Sequence, residues 1–489
     1  MKFKKVFSVL LASMLLMTGC ASEKKVSKED PNAYPEEPYE INWYINSKPQ
    51  KDVELIENAM NEILTKEINS TIKLHSLDSA QYSKMMSTKM SAGDYFDIAF
   101  TSGAVLSYSD SVKVGSFFDI APYIDEYMPK TKELFDQDFL SLAYVEGKLG
   151  GIPVNKEFGS QIGWIYRKDI ADKYSIDMTQ YKTLDELEPV LEMIKQNEPS
   201  IDYPMEWDTT ALNQNCLSYM MPALDCVIYT NGSEYKDVVE IFPESEEFKA
   251  LAKTARRYYE KGLVKPDVLT ATDASSRFMK GSSFCIISAL KPGAAQEKYG
   301  TSEFPVEQAG FSEIIQGSPI NSMLGISATS KNPYRVMRFL ELLYTNKELQ
   351  NLVVYGIEGK HYTKIDDNTI ELIKDSGYDL SKEQWMMGNI FNLYLLKGED
   401  PQKHEKFLEF NKEAKFNPVS AFAPDLSSVE LEKVAINGVK AQYRNQALLG
   451  AVDPDTVIDE YVKKLKEAGI DKVINVLQEQ YDEFLKGVK

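Results

Sequence analysis

Apolar and polar residues alternate with two different periods along most of the chain. Residues 39–45 follow a strand pattern, and residues 52–68 place their apolar side chains on one face of a helix. A short strand at 72–74, a helix that closes at Gly93 and a buried strand over 96–100 follow. Strands and helices alternating within about 60 residues predict parallel pairing and a three-layer α/β lobe.

Later segments repeat this alternation, and the length of the chain predicts two to three domains or lobes. Thr183 and Glu186 stand at the spacing of a capping box, which indicates that a helix begins there. The chain is strongly helical from Ser427 onward, so a helical C-terminal segment completes the prediction. The other predicted elements are strands over 163–166 and 284–287, and helices over 168–173, 248–258 and 333–345.

The first residues depart from this pattern. Three lysines, at positions 2, 4 and 5, precede an apolar run over 6–17 that is shorter than the roughly 20 residues needed to span a bilayer. The run ends in Leu-Met-Thr-Gly-Cys20, which resembles the bacterial lipobox, whose cysteine receives a diacylglycerol. We therefore expect a signal peptide over 1–19 and a lipid on Cys20, which would hold the chain at the extracytoplasmic face of the cell membrane. An ordinary secretory peptide with an incidental cysteine is the alternative.

Residues 21–38 are polar and contain three prolines. Such a composition cannot build a core, so the sequence predicts a lipidated cysteine with a disordered tether over 20–38.

Composition excludes some classes of function. The formal net charge of −19 argues against nucleic acid, whose phosphates require clustered Lys and Arg. Apart from Cys20, the chain contains three cysteines, Cys216, Cys226 and Cys285. An odd number of cysteines cannot all pair, so the sequence does not indicate a disulfide framework. Buried free thiols are favoured over a Cys216–Cys226 pair.

Residue types that carry catalysis occur without the spacing that catalysis needs. His75, His361 and His404 stand far apart, and no zinc, calcium, phosphate-loop or nucleophile-elbow motif is present. Pairs of carboxylates are expected by chance among 74 acidic residues. We therefore expect no enzyme, no metal and no cofactor.

Several segments, in a consistent order, resemble extracellular solute-binding proteins of the sugar-binding class, relatives of maltose-binding protein. Further segments near the C-terminus resemble the LipO-type lipoproteins, which carry a C-terminal domain of unknown function. The first set is Ile41–Tyr44, Phe96–Ser102, Gly147–Val154, Trp164–Asp169, Phe278–Gly281 and Ile326–Ser330; the second is Trp385–Asn392, Phe416–Pro418, Gly450–Pro454 and Leu465–Val473.

The resemblance implies a bilobal periplasmic-binding-protein-like fold of type II, with two three-layer α/β lobes joined by a hinge and a helical C-terminal module. Lobe 1 would comprise 39–155 and about 310–345, and lobe 2 would comprise 156–309 and about 346–489. A monomer would capture a carbohydrate, by expectation an oligosaccharide, and present it to the permease of an ABC importer.

Candidate ligand-binding residues follow from strand ends and from loops. Trp43 is assigned either to sugar stacking or to the core, whereas Trp207 and Trp385 lie in polar loops that favour the cleft, and Trp164 favours the core. Asp97 either binds ligand or holds a neighbouring loop. The segment 155–160 is expected to line the hinge, where Gly159 would allow torsional change. The remaining candidates are Asn46, Thr101, Ser102, Glu157, Asn389 and Asn392.

Two rival functions stay open. A peptide ligand would need charged groups for its termini, which Arg167, Arg277, Arg335 and Arg338 could supply. A sensor accessory or a surface glycosidase is the other alternative.

Overall fold

The computed structural model describes residues 28–207, 219–231, 234–416, 422 and 424–488. Their buried side chains form two large hydrophobic cores. One core is built from residues between 41 and 154 and between 323 and 407, and the other from residues between 162 and 309 and between 422 and 485. Two cores crossed by a few connecting segments make the bilobal fold that the sequence predicts. Within these ranges, no helix is both long and apolar enough to cross a membrane.

The first lobe is built on a mixed five-stranded sheet. Its three N-terminal strands pair in parallel, and the strand Met323–Ile326 returns antiparallel beside Ile98–Thr101. In spatial order the strands are Ser70–Leu77, Tyr39–Asn46, Ile98–Thr101, Met323–Ile326 and Gly151–Pro153. The helices of this lobe are Val53–Ile68, Ser79–Ala92, Tyr108–Lys113, Ile124–Tyr127, Pro129–Lys132, Gln137–Ser141, Pro333–Thr345, Lys347–Tyr355 and Lys403–Glu413.

The segment from 347 to 407 differs from the predicted lobe boundaries. The predicted boundaries place this segment in lobe 2, but Leu349, Tyr378, Met387 and Phe407 are buried in the first core. A small sheet of Tyr362–Lys364, Thr369–Leu372 and Leu395–Leu396 and the 3-10 helices Ser381–Met386 and Ile390–Asn392 belong to the same segment. The chain therefore returns to lobe 2 only after the helix Lys403–Glu413.

The second lobe has a sheet with apolar side chains on both faces. Trp164 and Tyr166 belong to the larger core, whereas Ile165 between them belongs to a smaller cluster on the opposite face. This period of two is what a strand buried on both sides produces. The strands are, in order, Val306–Gly310, Gly159–Arg167, Cys285–Leu290 and Met205–Glu206, with Ile315–Gln316 beside the second; a separate sheet contains Glu240–Ile241, Cys226–Asn231, Tyr219–Ala223 and Glu234–Tyr235.

The helical C-terminal segment covers the larger core of the second lobe. Arg444 and Tyr461, from two of its helices, both contact the carboxylate of Asp225, which is completely buried. The helices of this lobe are Lys168–Lys173, Leu184–Asn197, Glu246–Glu260, Ala274–Met279, Ala294–Tyr299, Glu430–Leu448, Pro454–Glu467 and Ile470–Val488. The capping box of Thr183 and Glu186 is formed as predicted.

Residues 28–38, which we call the N-terminal strap, lie against the first lobe. Glu29 receives hydrogen bonds from Arg335, Nε to Oε2 at 2.8 Å and Nη2 to Oε1 at 2.7 Å, and Arg335 is only 1% exposed. Arg338 donates to the carbonyl of Ala33 at 2.8 Å, and Pro35 is buried. The prediction of a disordered tether is therefore wrong for 28–38, because a buried arginine of the folded lobe binds the strap. Cys20 and Cys216 lie outside the described residues.

Three connecting segments meet between the lobes. Asn155 pairs with the 388–390 segment through backbone hydrogen bonds, and Ile315 pairs with Lys415. The side-chain oxygen of Asn411 accepts from the backbone N–H groups of Phe158 at 2.6 Å and Gly159 at 3.1 Å. Gly159 also meets a steric requirement, because a Cβ there would lie 2.7 Å from the ring of Phe410; its role in torsional change stays a prediction.

Candidate functional site

A cleft of about 410 Å³ lies between the lobes at these crossings. Both lobes and the hinge contribute to its walls, which is the position where two-lobed proteins enclose small ligands. Its lining residues are Lys156–Ser160 from the hinge, Ala289–Lys291, Ala294, Glu297 and Lys298 from the second lobe, and Gly317–Pro319, Asn321, Ser322 and Trp385 on the first-lobe side.

Trp385 supplies the aromatic surface of the cleft. It stands in the 3-10 helix Ser381–Met386, and 39% of its surface is exposed. Its ring meets the buried ring of Phe100 edge-on, with centroids 5.3 Å apart, and Ser322 donates to its carbonyl at 2.8 Å. The indole is therefore held from behind, while part of it faces the cleft.

Asn46 supports the loop that carries Trp385. Its amide nitrogen lies 3.8 Å from the sulfur of Met386, and its oxygen accepts a hydrogen bond from Ser79 at 2.9 Å. The side chain is only 7% exposed, so its place is beneath the aromatic wall.

Charged side chains form the hinge side of the cleft. Glu157, predicted as a ligand-binding residue, lies 3.1 Å from the ammonium of Lys291, which also contacts Glu297 at 2.9 Å. Burial acts to raise the pKa of Glu157, but the charges of Lys156 and Lys291 outweigh it and hold that pKa below its usual value. The carboxylate is therefore ionised at neutral pH and already has a partner.

Three hydroxyl groups are buried and lack a hydrogen-bond partner within the described ranges, those of Thr101, Ser102 and Ser318; of these, Ser318 lines the cleft, whereas the predicted ligand-binding residues Thr101 and Ser102 do not. Thr101 pairs with Met323, next to the cleft residue Ser322. Buried polar groups without partners are uncommon and mark places where a ligand or water can bind.

Two of the predicted tryptophans lie in the cores. Trp43 is 1% exposed and meets Phe339 edge-on at 5.8 Å, and Trp207 is 6% exposed with its Nε1 donating to the carbonyl of Leu448 at 3.4 Å. Neither ring has a face free for a sugar, so the cleft assignment is wrong for both. Trp164 is completely buried, as expected.

Asp97 holds neighbouring loop residues, Tyr95 and Ser330, in place, which is the second of its two predicted roles. Its carboxylate accepts hydrogen bonds from Tyr39 at 2.6 Å, Tyr95 at 2.7 Å and Ser330 at 2.5 Å, and from the backbone of Asn42 at 2.8 Å. It is completely buried and has no contact with the cleft.

Asn389 and Asn392 tie the 388–392 loop to a helix end. Both amides donate to the carbonyl of Tyr344, at 3.0 and 2.8 Å. Asn389 also accepts from Asn155 at 3.0 Å across the hinge. These amides therefore stabilise the hinge instead of lining the cleft.

The histidines and arginines have structural partners. His75 stacks on Tyr44, His361 lies beside Asp52, and His404 packs against Phe391. Arg167 pairs with Asp169 and Arg277 with Glu206, while Arg335 and Arg338 bind the strap. Over the described ranges, no three His, Cys, Asp or Glu side chains gather as a metal site.

Sequence reasoning missed Lys291 and Ser318, and it included Lys156 only as part of the hinge segment 155–160. Lys156 adjoins the predicted Glu157, and this pair of charges at the hinge crossing was the available signal. Lys291 follows the second-lobe strand Cys285–Leu290, and Ser318 precedes the first-lobe strand Met323–Ile326. Nothing in the local sequence of either residue indicates that they share a cleft.

Comparison with known proteins agrees with this architecture. The sequence matches the model of bacterial extracellular solute-binding proteins over residues 48–350, and that of a domain of unknown function, DUF3502, over 418–486. It is 30% identical to a carbohydrate ABC transporter substrate-binding protein of Streptococcus pneumoniae, covering 91% of each chain. It is 22% identical to a polygalacturonan/rhamnogalacturonan-binding protein of Bacillus subtilis, covering 98% of each chain.

Among solved structures, the N-glycan transport solute binding protein NgtS of Streptococcus pneumoniae is 25% identical with a TM-score of 0.79, covering 93% of this chain and 100% of NgtS. NgtS in complex with Man1GlcNAc superposes with a TM-score of 0.67 at 26% identity, covering 92% of this chain and all of the other. With two lobes around a cleft and a family match over more than half of its length, the chain belongs to the bacterial extracellular solute-binding protein family.

Proposed function

We propose that this protein binds an oligosaccharide in the interlobe cleft and delivers it unchanged to the permease of an ABC importer. Membership of the solute-binding family supports a role in capture, and relatives named for carbohydrates and glycans support the ligand class. The peptide alternative is not supported by the arginines that were its candidates for binding peptide termini. All four contact other parts of the protein, and none lines the cleft.

The exposed face of Trp385 is the observation that carries the carbohydrate assignment. One side of a pyranose ring presents apolar C–H groups that pack on an aromatic ring, and its hydroxyls need polar partners. Trp385 supplies the first, while Ser160, Ser318, Asn321 and Ser322 supply hydroxyls and an amide in the same cleft. A ligand without hydroxyls would leave these groups unpaired at a cost.

Closure of the lobes on the ligand would complete the site. Three segments connect the lobes, so a change of a few torsions near 155–160, 312–317 and 411–415 would move one lobe relative to the other.

A lipid on Cys20 would keep this monomeric protein beside its permease. The family is extracellular, which fits an exported chain. Cys20 precedes Lys28 by eight residues, and an extended chain of that length spans at most about 29 Å. We expect the strap to fix the first lobe within this distance of the membrane surface.

The test is a calorimetric and thermal-shift screen of neutral oligosaccharides, uronic-acid oligosaccharides and short peptides against the mature protein. Ligand at 100 times its dissociation constant should stabilise the fold by about 2.7 kcal/mol. A saccharide that binds should emerge with its chain length intact on chromatography, since we expect no hydrolysis. Stabilisation by peptides alone would overturn the carbohydrate assignment, and shortened saccharides would overturn the role in transport.

A further inference from the structure

The charges in the cleft do not balance. Three lysines line it, Lys156, Lys291 and Lys298, against two carboxylates, Glu157 and Glu297. The whole chain carries −19, so a positive surplus here is local. The partners of each ammonium group show which lysine lacks a carboxylate.

Lys291 takes both carboxylates. Its Nζ lies 3.1 Å from Glu157 and 2.9 Å from Glu297. Burial lowers the pKa of Lys291, but these two carboxylates raise it by more. Lys298 donates to the hydroxyl of Ser288 at 2.6 Å and to the carbonyl of Ala289 at 3.1 Å.

The positive charge of Lys156 has less negative charge beside it than that of Lys291. Its Nζ donates to the backbone carbonyl of Glu157 at 3.0 Å, and it forms no ion pair with any residue that the structure describes. Burial lowers its pKa, and the charge of Glu157 only partly offsets this effect. A half-buried ammonium hydrogen-bonded to a neutral oxygen favours an anion that can enter beside it.

A second group points to a ligand at the same place. The hydroxyl of Ser318 is buried, lines the cleft, and has no hydrogen-bond partner within the described ranges. It can donate to an anionic oxygen or to a sugar hydroxyl. Trp385 lines the same cavity of about 410 Å³, so one small ligand can reach the aromatic and the cationic walls together.

We propose that the preferred ligand is an acidic oligosaccharide, with a sugar carboxylate paired to Lys156 and a sugar ring on Trp385. This inference rests on the proposed function and narrows its substrate class. The carboxylate would supply the opposite charge that Lys156 lacks among the described residues.

The experiment compares matched ligands by calorimetry on the mature protein: trigalacturonate, trimannuronate and sialyllactose, each against its methyl ester, together with neutral oligomannose and maltotriose. The esters keep the sugar rings and linkages and remove the charge, at the cost of one added methyl group per carboxyl. We expect at least one acid to bind ten times more tightly than its ester or more. Lys156→Met should abolish that preference, Lys156→Arg should retain it, and Lys51→Met, at an exposed turn of the first lobe, should leave it unchanged.

The outcomes separate the two proposals. Neutral sugars that bind, with acids no tighter than their esters, would overturn the acidic ligand and leave the carbohydrate function standing. A preference for acids that survives in a folded Lys156→Met protein would overturn the role of Lys156. Failure of every saccharide to bind would overturn both proposals.

Discussion

Trp385 rests edge-on against Phe100, with ring centroids 5.3 Å apart, although the two residues are 285 positions apart and the body of the second lobe lies between them in the sequence. Phe100 is buried in the central sheet, and its backbone N–H donates to the hydroxyl of Tyr82 at 2.7 Å. The aromatic wall of the cleft is thus fixed by the core before any ligand arrives. Such a wall loses little conformational entropy on binding.

Removal of the indole should therefore weaken binding without unfolding the protein. We expect Trp385→Ala to raise the dissociation constant for the best saccharide about tenfold or more, equivalent to roughly 1.4 kcal/mol. Trp385→Phe should recover part of the loss, since it keeps an aromatic face. Calorimetric titration measures the effect.

Trp207→Phe is the matched control for this prediction. Its ring packs against Tyr258 in the second core, so this variant should lower stability and leave affinity within about twofold. If Trp385→Ala bound as tightly as the unaltered protein, stacking on Trp385 would be excluded.

Asn411 should keep the backbone of the hinge segment 156–160 ordered. Replacement by Ala removes the acceptor of the Phe158 and Gly159 N–H groups and the donor to the carbonyl of Lys156 at 2.8 Å. We expect a cost of about 1–3 kcal/mol, visible as faster amide exchange over residues 156–160. Asn197→Ala, which removes an exposed bond within its own helix, should leave that exchange unchanged. Unaltered protection in Asn411→Ala would show that other contacts hold the hinge.

Local elements could be predicted from the sequence because their signals are local. The helix Pro333–Thr345 was predicted with its observed bounds, and the helix Ser79–Ala92 ends at Gly93 in the left-handed conformation, where glycine is favoured. The bilobal fold is not predicted by these local signals but is implied by the resemblance of several segments, in a consistent order, to extracellular solute-binding proteins.

Burial was harder to predict, because the residues that cover a side chain are distant in sequence. Trp207 is capped by Leu448, which lies 241 positions later, and Glu29 meets Arg335 across 306 positions. Because their neighbours in the sequence are polar, the prediction for Trp207 is the cleft and the prediction for the strap is solvent. In both cases a later segment folds over the site, and no local pattern reports it.

The buried carboxylate of Asp225 should hold the C-terminal helices on the second lobe. Arg444 contacts one of its oxygens at 2.5 Å and the hydroxyl of Tyr461 contacts the other. Asp225→Asn keeps the shape but removes the charge, and we expect a loss of about 3–5 kcal/mol in urea unfolding. Asp172→Asn, in an ion pair where the Asp is 65% exposed, should cost less than about 1 kcal/mol. Equal losses in the two variants would contradict a special role for Asp225.

The strap should make stability depend on pH through Glu29. Burial acts to raise the pKa of Glu29, but its bonds to Arg335 and Asn332 lower it below the ordinary value of 4.5. A depressed folded pKa contributes stability that is fully present above 4.5 and is lost as pH falls through the folded value. Glu29→Gln should therefore lower the melting temperature at pH 7, by a loss of roughly 1–3 kcal/mol.

The difference between Glu29→Gln and the unaltered protein should shrink as pH falls below 4.5, because the native carboxyl then becomes neutral as well. Glu36→Gln, at an exposed position of the same strap, should match the unaltered protein at every pH. Melting curves of the three proteins between pH 3 and 8, recorded by circular dichroism, measure the effect. A constant gap between Glu29→Gln and the unaltered protein across this range would mean that Glu29 acts through packing, since only the ionised carboxylate pairs with Arg335.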